Sequence, residues 1–523
     1  MIKLSDIRVP MDAPQGALRQ EAAHLLGINP GQIKQLDILR EAVDARHRNA
    51  LRLAYVLAVE VEDEAAVLRA APSAKAEAYT PPVYELPLPE RLGNARPVVV
   101  GAGPAGLFAA WVLARAGLRP IVLERGHNLE RRRADVLAFH GGGALDRNSN
   151  VQFGEGGAGT FSDGKLVTRI KDPRCAEILR ALVKHGAPQE ILYSARAHIG
   201  TDRLWNILPA LRAEIEALGG EYRFGWTLQA LQTDGGRVTA AVGAGDRIET
   251  PAVVLAIGHS ARDTVEALHR EGLSLQAKPF AVGFRIEHPQ RLIDRAVFGG
   301  PQRRLGAADY HVSAQILGRP VYSFCMCPGG SVVNASSEEG RLAVNGMSQY
   351  ARAGHNSNSA VVAGLLPEEL GEGPLAGMAF QRSIETAAYR LGGGWTAPAQ
   401  RLEDYLADRP TKAFGTVKPT VRPPAVPANL TGLLPKAVND AIRASFKGFD
   451  RQLQGFAIHD AVLTAVESRT SSPVRMPRRE DGQAEGIDGL YPAGEGAGYA
   501  GGILSAAVDG MKAAEALIRQ WKG

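Results

Sequence analysis

The residues Gly101-Ala102-Gly103-Pro104-Ala105-Gly106 stand between a short apolar run, 97–100, and the helical pattern LFAAWVLARAG. Spacing and residue type define a phosphate-binding turn: Gly101 permits the tight turn, Gly103 lets backbone approach a pyrophosphate, and Gly106 lets the helix pack closely on the strand. The helix N-terminus offers free N–H groups and about half a positive charge to the phosphates. A second apolar run, 121–123, ends in Glu124, whose carboxylate suits two ribose hydroxyls and repels a 2′-phosphate. Taken alone, GxGxxG also fits a glycine loop with no ligand. Strand, turn, helix, strand and terminal acid in register favour a dinucleotide, and Glu124 disfavours NADP at this position.

Two further glycine clusters decide which dinucleotide. At 489–495, GLYPAGE places an acid after a short strand, followed by more glycines and an apolar helix through Ile503, Ala507, Met511 and Ala514. This resembles the segment of glutathione reductase-type flavoproteins that hydrogen-bonds the ribityl chain and aims a helix N-terminus at the flavin, with Glu495 in place of the usual aspartate. VVLAIG at 253–258 is similar to the strand and turn that open the second half of such domains, with isoleucine in place of threonine. Between them, SNVQFGEGGAGTFSDGKL at 149–166 is too rich in glycine for packing to explain, and close backbone contact with a flat ring or phosphate does explain it.

The ERG turn followed by Arg132, the NVQFGEGGAGTFSDGKL block, AIGHSARDT, FCMCPGG, NGMS and ESRTSSPV together resemble the bacterial family of uncharacterised FAD-dependent dehydrogenases, over essentially the whole chain. The resemblance implies bound FAD. The contacts it implies are Gly101, Gly103, Pro104, Ala105 and Gly106 in the first turn, Glu124, Arg125 and Arg132 after the second strand, and Leu228 and Gly258. It also implies Gly154, Gly156, Gly157, Ala158, Gly159, Thr160, Gly164 and Lys165 in the long loop, and Gly494, Glu495, Gly502 and Ile503 near the C-terminus. It supplies no substrate.

Because a flavin itself accepts hydride, an obligatory acid or base is not required, and the catalytic residue is unknown. Cys325 and Cys327 place thiols that could exchange electrons with the flavin, or serve as small buried apolar residues; CxC is not the CxxC spacing of dithiol centres. His259 follows Gly258 and is either a proton donor in the cleft or a turn residue capping the next helix. Arg469, with His459 nearby in sequence, either binds an acidic substrate or the flavin's pyrimidine edge, or anchors Glu467. Lys165 either stabilises a reduced anionic flavin or is solvated. The cysteines and histidines show no paired zinc spacing, so no metal is expected.

These groups need elements to position them. Residues 1–75 read as a small α+β domain, with a helical pattern near 15–26 and strand-like LRLAYVLAVEV; the Ala/Pro-rich 76–96 reads as a linker. Residues 97–265 form the first part of an FAD-binding domain, 266–484 a substrate or cap domain, and 485–523 the returning C-terminal part. The expected fold is therefore α/β: a Rossmann-like, three-layer ββα domain with an inserted α+β domain and the small N-terminal α+β domain.

Composition bounds the rest. With 45% hydrophobic and 22% charged residues the chain reads as an ordinary globular protein. A formal charge of +5, spread rather than clustered, argues weakly for polyanions, so nucleic acid is an unlikely partner and an FAD-dependent RNA-modifying protein is only the alternative reading. Three cysteines, an N-terminus without a signal-peptide pattern and no long apolar run point to the cytoplasm, without a membrane span. The expected partner is a small-molecule substrate at a domain interface. With no second GxGxxG, an NAD(P)H donor would bind transiently, and quinones, an electron carrier or oxygen are the other candidates.

Overall fold

The computed structural model describes residues 1–46, 51–73, 75–243, 245–300 and 304–522. Five parallel strands lie at its centre, in the order Leu490–Pro492, Val253–Leu255, Val98–Val100, Ile121–Glu124 and Glu221–Phe224. The first four are short and largely apolar, as expected where both faces are covered; Glu221–Phe224, at the sheet edge, reads EYRF and is half-buried. One face carries the helices Pro104–Arg115, Thr201–Ala217 and Ile503–Gln520, which share a core with Val99, Val122 and Val254. Against the other packs an antiparallel sheet of Leu228–Asp234, Arg237–Gly243 and Asp246–Glu249, through Trp226, Leu228, Val238 and Ile248. The layers are the expected ββα arrangement of a Rossmann-like fold.

Gly106 lets the helix Pro104–Arg115 sit close on its own turn, and Gly510 lets the helix Ile503–Gln520 settle against it. A Cβ on Gly106 would collide with the Gly101 carbonyl, and one on Gly510 with the Ala105 carbonyl.

The second large body is a seven-stranded sheet ordered Ser313–Ile316, Arg319–Cys327, Asn356–Leu365, Phe280–Pro289, Val462–Glu467, Pro398–Arg401 and Val426–Pro427. Helices Lys436–Gln452 and Ala376–Leu391 cover it, with Phe284, Tyr405, Phe446 and Phe456 at the centre of the core. The hairpin of Ser331–Asn334 and Val344–Met347 lies beside it.

At the N-terminus four strands pair in the order Gln35–Asp44, Arg52–Glu60, Ile2–Pro10 and Ala76–Ala78, with Ala17–Leu26 packed on one face. The stretch expected to be linker from residue 76 begins as that fourth strand, in register Ile2↔Ala78. Farther on, Tyr84 and Leu86 pack on the helical layer and the Tyr84 hydroxyl donates to Glu515 at 3.2 Å, so the segment is anchored at its middle as well. No helix among the described residues is long and apolar enough to cross a membrane.

Candidate functional site

Because the central strands are parallel, the turns after Val98–Val100, Val253–Leu255 and Leu490–Pro492 all emerge at one edge, where ligands of open α/β sheets bind. Those turns carry Gly101, Gly258 and Gly494–Glu495. They meet the 149–166 loop around a cavity of about 360 Å³. Gly101 has φ 102°, and a Cβ there would collide with the Ala256 carbonyl. Gly157, at φ 62°, has its missing Cβ 2.9 Å from the Cα of Gly103. The helix Pro104–Arg115 begins at Gly103 without a side-chain cap, which leaves its first amides open to the cavity. Backbone stripped of side chains, with uncapped amides beside it, fits a pyrophosphate and a flat ring system.

Apart from His459, which is exposed and away from the cavity, the sequence-named residues divide into two groups. Gly101, Gly103, Pro104, Ala105, Glu124, Arg125, Gly157, Ala158, Gly159, Gly164, Lys165, Leu228, Gly258, His259, Cys325, Arg469, Glu495, Gly502 and Ile503 line the cavity. Gly106, Arg132, Gly154, Gly156, Thr160, Cys327 and Gly494 stand behind its wall.

Arg132 is fully buried and donates to the carbonyls of Asn150 (2.9 Å), Val151 (3.0 Å), Gly154 (3.2 Å) and Glu155 (2.6 Å) and to the Thr160 hydroxyl (3.3 Å). Burial lowers its pKa to about 10. It shapes the loop from within, and Gly154 leaves room for its side chain. Thr160 accepts that guanidinium, Gly156 abuts Thr160 and Leu208, and Gly494 abuts Ala105.

Glu124 is buried, and its carboxylate accepts the backbone N–H groups of Ala102 (2.8 Å), Gly126 (2.9 Å) and Gly154 (2.9 Å). Three of its roughly four acceptor positions are thus taken in tying the first turn to the long loop, and one is left for a ribose hydroxyl. Arg125 pairs with Asp263 at 2.9 Å and lies over the Phe153 ring.

His259 and Glu495, on neighbouring turns, bring Nε2 and Oε1 to 3.5 Å. Burial, with Arg469 and Arg262 adding to it, lowers the imidazole pKa to about 3, while burial raises that of the carboxyl to about 7 against a small opposing effect of Lys278. Near neutrality the imidazole is therefore uncharged and the carboxyl half-protonated. His259 Nδ1 lies 3.0 Å from the Ser260 hydroxyl.

The opposite wall consists of side chains. Arg469 pairs with Glu385, not with Glu467 as the sequence alternative had it: Nε and Nη2 each donate to Glu385 at 3.0 Å, and Nη1 donates to Ser260 and Ser337. Four of its five N–H groups are thereby engaged. Arg262 grips the same carboxylate at 2.6 and 3.0 Å. Burial raises the pKa of Glu385, but the two arginines more than reverse this and hold it well below the carboxylate range.

Glu467 pairs with the fully buried Arg285 at 3.2 Å. Lys165 lies 2.9 Å from Asp163, which also takes Arg352 and Ser348. Burial raises the pKa of Asp163, and Lys165 and Arg352 overcome it and keep the acid ionised. Burial pushes the Cys325 thiol up and the Cys327 thiol to about 12, so neither is a thiolate at neutral pH.

Sequence reasoning passed over Arg285, Asn345 and Glu385. The signal for Arg285 was a charge directly after the apolar run FAVGF; Asn345 stood in the NGMS block without a role of its own, and Glu385 carried no signal. His127, Asp135 and Asp146 bring possible metal-ligand atoms within 4.8 Å, but the Asp135 and Asp146 carboxylates are occupied by His127, Ser149 and backbone N–H groups.

Residues 279–470 match the family model described as FAD-dependent protein, C-terminal domain-like; residues 99–137 match an NAD(P)-binding Rossmann-like domain and residues 1–62 a domain of unknown function. An uncharacterised protein of Clostridium beijerinckii is 45% identical over 534 residues, covering 99% of each chain. Among solved structures, glycine oxidase from Bacillus cereus is 10% identical, covering 82% of this chain and 98% of that one at a TM-score of 0.35. CtdE in complex with FAD is 12% identical, covering 80% and 83% at a TM-score of 0.31. Nothing about activity passes from these two to this chain. Full-length identity to the clostridial protein, together with the FAD-dependent domain match, establishes that the chain belongs to the bacterial family of uncharacterised FAD-dependent proteins, and its cofactor is FAD.

Proposed function

We propose that the protein is an FAD-dependent oxidoreductase acting on a small polar organic molecule held between the glycine turns and the seven-stranded sheet. One observation carries this reading: a single cavity is bounded on one side by Gly101, Gly103, Gly157 and Gly502 and on the other by Phe324, Cys325, Asn345 and Glu467. The first set suits a cofactor that needs close backbone approach, and the second a substrate that needs polar recognition. FAD, when bound, supplies the acceptor or donor of a hydride.

The chain's own residues bind and orient. The open amides at the start of Pro104–Arg115 receive phosphate oxygens, the remaining lone pair of Glu124 meets the adenosine ribose, and Glu495 meets the ribityl chain. Uncharged His259 beside a half-protonated Glu495 keeps the charge of that stretch of cavity low. Arg262, Glu385 and Arg469 fix the position of one guanidinium in the wall.

The test is anaerobic mixing of the FAD-loaded protein with NADH, NADPH and panels of amino acids, hydroxy acids, amines and alcohols. At least one class should bleach the flavin's visible absorbance. Folded protein that stays colourless after incubation with FAD, or that no class reduces or reoxidises, would overturn the reading.

A further inference from the structure

Four carboxylates line the cavity: Glu124 has both oxygens engaged by backbone amides and Asp163 by Lys165, Arg352 and Ser348, while Glu495, 3.5 Å from His259, sits on the glycine turns. Glu467 differs. Its side chain is only 2% exposed, and Oε2 accepts from Arg285 Nη1 at 3.2 Å. Among the described residues no donor reaches Oε1, which is nonetheless not one of the sealed, unsatisfied atoms of the interior. Its remaining contact is therefore with the cavity.

Arg285 cannot turn to serve a ligand, because all five of its N–H groups are committed. Nε donates to Asn358 (2.8 Å), Nη1 to Asn345 and Glu467, and Nη2 to the Cys325 carbonyl (2.5 Å) and Cys327 Sγ (3.5 Å). Asn345 also lines the cavity. Its Oδ1 faces Arg285 Nη1 at 3.5 Å and accepts its neighbour's N–H from Gly346 at 2.8 Å, which identifies the oxygen and leaves Nδ2 without an acceptor among the described residues. One guanidinium nitrogen thus holds a free acceptor and a free donor side by side. Gly346 is required for this, since a Cβ there would collide with Arg285 Nη2 and Asn358 Oδ1.

We infer that Glu467 Oε1 and Asn345 Nδ2 form the substrate-recognition pair, with Arg285 as the positioning residue behind them. Glu467 accepts a hydrogen from an amine or hydroxyl, and Asn345 donates to a carbonyl or carboxylate oxygen on the adjacent carbon. The ligand class is a small α-amino or α-hydroxy acid. This deepens the oxidoreductase reading above and rests on it.

The experiment uses FAD-loaded protein and three acids of one size, racemic alanine, racemic lactate and propionate, each titrated while the flavin absorption band is followed. Alanine or lactate should bind at least about tenfold more tightly than propionate, because a site built to receive a donor hydrogen discriminates against the analogue lacking it. Which of the two binds distinguishes an amine from a hydroxyl ligand. In Glu467→Gln, which turns the free acceptor into a donor, the preference should fall to within about twofold. Asn345→Ala should weaken all three acids together, about tenfold, and carries the test if Glu467→Gln does not fold. Yellow wild-type protein that binds propionate as well as the others, binds none of them, or keeps its preference in Glu467→Gln overturns the inference alone. Colourless wild-type protein overturns the reading beneath it as well.

Discussion

Arg132 and Arg285 are both fully buried, one behind each wall of the cavity, and they are compensated in different ways. Arg132 spends its N–H groups almost wholly on carbonyls of the 150–155 backbone, with no carboxylate in direct contact, and burial lowers its pKa. Arg285, apart from the Cys325 carbonyl, binds side chains and has Glu467 as counter-ion. An arginine bonded to backbone fixes the shape of a loop, which a ligand then meets as main chain. An arginine bonded to side chains fixes where functional groups point. The glycine-lined wall of the cavity and the side-chain wall opposite differ in the same way.

Replacing both arginines by methionine breaks the comparison most severely. Each substitution should cost about 3–5 kcal/mol, because buried acceptors or a buried carboxylate lose their partner. Arg132→Met should also lose FAD, whereas Arg285→Met should keep FAD once folded; urea unfolding and the flavin-to-protein absorbance ratio separate the two. Gly101→Ala comes next. A Cβ against the Ala256 carbonyl at φ 102° should weaken FAD binding at least about 100-fold, some 2.7 kcal/mol, with the substrate wall intact. Fluorescence titration of the apoprotein with FAD measures it.

A smaller effect separates His259 from Glu495. Burial lowers the folded pKa of His259 from 6.5 to about 3, so its contribution to stability is present above pH 6.5 and is lost as pH falls through that window. Burial raises the folded pKa of Glu495 from 4.5 to about 7, so its contribution is present below pH 4.5 and is lost as pH rises through 7. The two slopes oppose each other between pH 4.5 and 6.5, and wild-type apoprotein should be nearly flat there with respect to this pair. Glu495→Gln should expose the histidine slope, losing stability on acidification, and His259→Asn should expose the opposite slope. Urea midpoints across the pH range check both.

The smallest effect concerns the thiols. Since burial keeps Cys325 and Cys327 protonated, changing both to alanine should alter the rate of flavin reduction by less than about twofold. Stopped-flow reduction with any active donor would show it.

Much of the cofactor wall was legible because its requirements are local. Gly101 and Gly103 answer to the shape of one turn, Glu124 to the end of one strand, and the 149–166 glycines to close approach along one loop, so a linear pattern carries them. Even there, Arg132 and Thr160 were expected at the ligand and stand behind the cavity wall, because sequence gives proximity to a motif and not the side of a wall. Arg469 shows the same limit: its neighbour in sequence, Glu467, lies in the same strand region, yet the guanidinium turns to Glu385 on a helix.

The sequence by itself determined the Rossmann-like half and a dinucleotide turn, since apolar periodicity and glycine spacing constrain the backbone wherever the chain goes; that the dinucleotide is FAD came from the resemblance of its motif blocks. Only the tertiary structure decided which charges face the cavity. Pairing Phe280–Pro289 with Asn356–Leu365 and Val462–Glu467 brings Arg285, Asn358 and Glu467 together across long stretches of chain, and the Val344–Met347 hairpin strand adds Asn345. A buried ion finds its partners by desolvation and geometry in three dimensions, and no spacing along the chain encodes them.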